Sequence, residues 1–215
     1  RQQSSLDVAA RQYAVAEKNS NGIAEIDYRI AANSGETLSR LSSFEAASTR
    51  FDRALELAAT PEKRAFIRLC QGELMFKVGS IAEGANLMEK GLSELGIRVP
   101  STLLGLSIGI GTNLLLQLRP VPDLKQGVSH GRISDRRILT LQLLSKLSQY
   151  MIFNDSIKML WAHLRSLNQV YRLPVTRYSV FSVSAHACYA AMFSLHGRGN
   201  YFGSLGRDLA QELDD

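Results

Sequence analysis

His186 and Cys188 are the two residues whose types most directly suggest metal chemistry. On a helix, two positions apart means roughly 200° of rotation, so their side chains diverge and do not chelate one ion. His130, His163 and His196 form no ligand spacing with them or with each other. The glycines of GLSIGIG (105–111) complete neither a GxGxxG nor a GxxxxGKS/T motif, and no strand precedes them. Phosphate cradling needs a strand–loop–helix context, so close packing of a helix is the expected use of these glycines. GSLG (203–206) lacks the spacing of a nucleophile elbow. Tyr150, Tyr171, Tyr178 and Tyr189 are scattered along helical patterns, where core and interface roles are common. Carboxylates thin out after residue 95, leaving little for paired-carboxylate or two-metal chemistry. No catalytic, cofactor-binding or metal-ligating residue is assigned, and the chain is not expected to be an enzyme or to carry a cofactor.

Charge gives a different lead. The formal net charge is +5. Residues 1–95 hold 12 Lys/Arg against 13 Asp/Glu, whereas residues 96–215 hold 13 against 7. The excess is densest around Arg119, Lys125, Arg132, Arg136 and Arg137, a candidate patch for an anionic partner. A solvated surface is the simpler account of those charges. No aromatic interleaving and no helix-turn-helix pattern accompanies them, so nucleic acid is not the favoured partner.

These residues must be positioned by helices. All five prolines (Pro61, Pro100, Pro120, Pro122 and Pro174) fall between periodic apolar segments, and no alternating strand pattern occurs. Helical spacing predicts helices over about 6–18, 23–41, 44–59, 62–77 and 81–95. The apolar run 101–118 is short for a membrane span and polar at Ser107, Thr112, Asn113 and Gln117, so it predicts a buried helix. A Pro/Gly-rich basic loop follows. Further helices are expected over about 134–153, 155–173 (with Asp155 as N-cap), 175–196 and 201–213. Cys70 and Cys188 lie far apart in apolar helical contexts, which argues for free thiols and a cytoplasmic location. Both chain ends are expected to lie inside a longer polypeptide. The expected organisation is helix pairs over 1–100, an apolar helix and basic loop over 101–131, and further helical hairpins over 132–215.

Helices 23–59 and 62–95 form two successive pairs related by an offset of 37 residues. Phe44 corresponds to Ile81, Phe51 to Met88, Leu55 to Leu92, Gly35 to Gly72, and Leu38 to Met75. Five correspondences at one offset indicate an internal repeat, as expected where a single helix pair cannot bury its apolar face alone. The pattern resembles the tetratricopeptide repeat: small residues at Gly35 and Gly72, turns at Ser42 and Gly79, then Phe44/Ile81, Ala47/Gly84, Phe51/Met88 and Ala54/Gly91. It departs from that family at Ser34 and Gln71, where leucine is usual, and in its longer period. The resemblance implies an all-α fold of antiparallel helix pairs stacked into an α-solenoid.

The order of LSELGIRVP (92–100), the apolar run, the basic loop and LQLLSKLSQYMIFNDSIKMLWAHLRSLNQ (141–169) resembles the helical region of large bacterial signalling proteins. Those proteins join a STAND-type or AAA-like ATPase to a Ser/Thr kinase, nucleotide cyclase or histidine kinase domain. That likeness implies a non-catalytic interaction or sensor segment whose partner is a protein, a peptide or another domain of the same chain. Arg29, Asn33 and Glu36 on one inner helix, with Arg68, Gln71 and Glu73 on the next, are the candidate groove residues. Two alternatives stand beside it: the effector-binding helical domain of a large ATP-dependent transcription activator, and a small-ligand-binding helical bundle centred on 140–196.

Overall fold

Three chain reversals share one backbone design. In a computed structural model, Ser42, Gly79 and Ser194 each take positive φ, at 61°, 84° and 60°. After each, the next N–H reaches back over the helix end: Ser43 to the Leu38 carbonyl (2.9 Å), Ser80 to Met75 (2.9 Å) and Leu195 to Ala190 (2.8 Å). This is the double-bonded C-terminal cap that satisfies otherwise orphaned carbonyls and turns the chain sharply. The structure describes residues 2–20, 22–117, 135–171, 173 and 175–214, the side chains of Gln2, Gln3, Lys18 and Asp214 excepted.

Among the described residues there are ten helices and no strands. They are α1 (Gln2–Lys18), α2 (Ala24–Arg40), α3 (Phe44–Leu57), α4 (Pro61–Lys77), α5 (Ile81–Glu94), α6 (Leu103–Leu116), α7 (Asp135–Met151), α8 (Ser156–Val170), α9 (Arg177–Met192) and α10 (His196–Asp214). Pro61 opens α4 behind Thr60, whose hydroxyl accepts from Lys63 N–H. Asp155 caps α8, as its type predicts, accepting from Lys158 N–H at 2.9 Å. Contacts divide the chain into two units, Arg1–Arg98 and Val99–Asp215.

The first unit packs neighbouring helices in chain order, α1 on α2 through α4 on α5. Its repeat is visible in space. A methyl group at Gly35 would come within 2.6 Å of the Phe51 ring, and one at Gly72 within 2.9 Å of the Met88 chain. In each pair the small residue of the first helix is therefore seated beneath the large residue of the second. Phe51, Ala47, Ala54 and Leu74 are buried in this core with Tyr28, Ala31 and Ile67.

In the second unit α7 and α8 form a hairpin, α6 packs on α8, α9 packs on both α7 and α8, and α10 packs on α9. Leu141, Leu167, Val170, Val183, Phe202 and Leu209 share one buried cluster. Two expectations need correction. The break between the last two helices falls at Phe193–Leu195, not at Gly197, because Ser194 adopts the left-handed conformation and Gly197 lies in the first turn of α10. The run 101–118 is not a buried helix: on α6, Leu106 and Asn113 are buried, while Leu103, Leu104, Ile108 and Leu115 are more than 60% exposed among the described residues. Only one face of α6 meets α8. No described helix is long and apolar enough to cross a membrane.

Candidate functional site

The six groove candidates divide by what they touch. Arg29 is exposed, and Asn33, Glu36, Arg68 and Glu73 are half-buried. Glu36 accepts a weak hydrogen bond from the Cys70 thiol (3.9 Å), which spans α2 and α4. Burial, with Glu36 and Glu73 nearby, pushes the Cys70 thiol well above its usual pKa. Gln71 is buried: its amide donates to Asp52 Oδ1 at 2.8 Å and accepts from Arg68 at 3.2 Å. Gln71 therefore ties α4 to α3, with both polar atoms of its side chain already engaged inside the protein. Arg136 and Arg137 are exposed in the first turn of α7, whereas Arg119, Lys125 and Arg132 lie outside the described residues.

A connected buried polar cluster lies elsewhere, in the second unit, and the sequence pattern did not single it out. His163 of α8 and His186 of α9 meet with Nε2 and Nδ1 3.1 Å apart and both rings buried. The rings are nearly parallel, at 15°. Arg198 of α10 donates from Nε to His186 Nε2 at 3.0 Å and from Nη2 to Gln117 Oε1 at 2.5 Å. Donor inventory then fixes the tautomers. A guanidinium only donates, so His186 Nε2 is the acceptor and its proton sits on Nδ1. That proton is donated to His163 Nε2, and His163 keeps its own proton on Nδ1.

Both imidazoles are held neutral. Burial pushes His163 down to about 3, helped by His186, and pushes His186 down to about 4, helped by Arg198. Tyr189 and Phe202 stand edge-on to His163 and His186, with centroids at 4.6 Å and 4.5 Å.

This chain of hydrogen bonds borders a cavity of about 420 Å³. Leu114, Leu160, Leu164, Ala190, Phe193 and Leu195 supply its apolar walls. Gln117, itself buried, leaves its amide nitrogen without a hydrogen-bond partner among the described residues. Among the described residues no carboxylate pairs with Arg198, none lines the cavity, and no group of three or more His, Cys, Asp or Glu is placed to hold a metal. Gly109 accounts for one motif: a methyl there would meet Trp161 Nε1 at 2.6 Å, so this glycine lets α6 close onto α8. Small residues on α9 act likewise: the Ser182 hydroxyl meets Ser145 (3.1 Å) and Ser166 (3.3 Å), both buried.

Comparison with family models, with curated proteins and with solved structures gives no match.

Proposed function

We propose that the chain is a non-catalytic interaction or sensor segment of a larger, ATPase-linked signalling protein, in which tetratricopeptide-like pairs stack as part of an α-solenoid. The observation that carries this reading is the matched seating of Gly35 under Phe51 and Gly72 under Met88, each pair closed by the same reversal. Repeated pairs of this kind supply a side-by-side array of inner helices, here α2 and α4, whose open side chains meet a protein or peptide. Arg29, Asn33, Glu36 and Glu73 are the residues offered for it. The role is a cytoplasmic one in a bacterial signalling chain, with the output chemistry in other domains.

A crosslinking residue at Arg29 of the full-length polypeptide tests it. Crosslinks to a partner or to another domain are expected from Arg29 and not from the exposed Lys90 on α5. Equal yields at both positions, or none at either, overturn the reading.

The cavity beside Arg198 favours a second reading for Val99–Asp215. That unit would be a small-ligand-binding helical bundle. Such sites are typically apolar concavities of about 300–1,000 Å³ with a few convergent polar groups.

A further inference from the structure

We infer that the cavity of the second unit binds an amphiphilic monocarboxylate, with its carboxylate on Arg198 and Gln117 and its apolar body between α6, α8 and the α9–α10 reversal. The inference deepens the small-ligand reading of this unit and rests on it.

Charge sets the class of head group. Arg198 presents five N–H donors, of which Nε is committed to His186 and one Nη2 proton to Gln117. The others have no described acceptor. A guanidinium held over an apolar cavity, with no counter-ion among the described residues, is a site for an anion, and its fork matches a carboxylate bidentately. The histidines add no charge, because His186 must accept from Arg198 and His163 must accept from His186. The head group therefore meets one positive charge, which suits one negative charge better than two. The unpartnered Gln117 amide supplies a further donor on the same side. Leaving such a group unpaired costs on the order of 1–3 kcal/mol, so a ligand oxygen there is stabilised by relief of that cost.

The walls set the rest of the molecule. Leu160, Leu164 and Ala190 line the depth, and Leu114, Phe193 and Leu195 line the cavity while remaining 48%, 67% and 54% exposed. Apolar side chains left in water around a cavity favour an apolar body that covers them. A cavity of about 420 Å³ holds roughly fourteen water volumes, which is the scale of a medium-length acyl chain or a substituted aromatic acid. A cation is disfavoured beside Arg198.

Calorimetry on the full chain, with decanoate, decanol and decyltrimethylammonium as probes, tests the proposal. Decanoate is expected to bind one to one, at least tenfold tighter than decanol and with no binding of the cation. Arg198→Gln should remove the preference for decanoate over decanol. Leu114→Trp, at a half-exposed wall position, should weaken both by tenfold or more while the circular dichroism spectrum and melting point of the free protein stay unchanged. If decanoate and decanol bind equally, and Arg198→Gln changes neither, the carboxylate assignment falls and the small-ligand reading stands. If no probe binds the wild-type protein, or Leu114→Trp leaves binding intact, both fall.

Discussion

His163 and His186 stand 23 residues apart on different helices, and the consequence of their meeting is a pH-sensitive core. Both pKa values lie below the ordinary 6.5, at about 3 and about 4. Above pH 6.5 the folded and unfolded chains are equally deprotonated at these sites, and the full stability is present. Below it the unfolded chain binds protons that the folded one excludes, so stability falls as pH drops from 6.5 through about 4. At about 1.4 kcal/mol per pH unit for each histidine, the loss by pH 4 is on the order of 3 kcal/mol per histidine and about 6 kcal/mol for the pair. Trp161, the single tryptophan and buried in this unit, reports it. Urea melts followed by Trp161 fluorescence should show the slope, and His163→Gln/His186→Gln should flatten it. An unchanged slope in the double variant would show that the histidines do not titrate on unfolding. The pair was not legible in the sequence, because helical spacing tests a residue only against neighbours on its own helix. His186 was weighed against Cys188, which points away from it and is exposed.

At the scale of elements, the helix pairs were largely readable and their ends less so. The 37-residue offset located Gly35/Phe51 and Gly72/Met88 because size alternates at fixed spacing, and packing turns that alternation into contact. Gly35→Ala should cost about 1–3 kcal/mol through overpacking against Phe51, and Phe51→Leu on that background should recover part of it, as read from melting points. The α9–α10 hairpin repeats the design without its size code. Ala187 and Gly199 lie seven residues before and five after the turn residue Ser194, as Gly72 and Gly84 do around Gly79. A methyl at Gly199 would lie 3.3 Å from the Ala187 carbonyl oxygen, and one at Gly84 would lie 2.9 Å from that of Gly72. The position of Phe51 and Met88 is taken by Gly203, however, and that of Phe44 and Ile81 by His196. Periodicity reads large apolar residues, so it placed helices here but did not show that their hairpin shares the design of the two repeats. Serine in the left-handed region is strained relative to glycine. Ser42→Gly and Ser194→Gly should each stabilise by up to about 1 kcal/mol, whereas Gly79→Ala should destabilise by a similar amount, measured by chemical denaturation.

For the whole molecule, all-helical class followed from proline placement and the absence of alternation, and the ten helices among the described residues agree with it. What patterning could not rank was exposure. The run around α6 is the most apolar of the chain, yet most of its leucines and isoleucines face outward among the described residues. Hydrophobicity gives a tendency to be covered but not the number of neighbours available to do the covering. Placing the ATPase chemistry in other domains makes a prediction at this scale. Millimolar ATP with magnesium should leave the melting point of this chain unchanged, and stabilisation by several degrees would place a nucleotide site within it.

Cys70 and Cys188 differ in one respect that has practical weight: the first is buried with its thiol shifted upward, and the second is exposed. The native protein should therefore behave toward a maleimide as though it had a single sulfhydryl. A dye placed there rides on α9, two residues beyond His186, while the indole of Trp161 lies on α8. Donor and acceptor would then ride on two of the helices that line the cavity, and energy transfer between them would report any spreading of α8 from α9 when the space is filled.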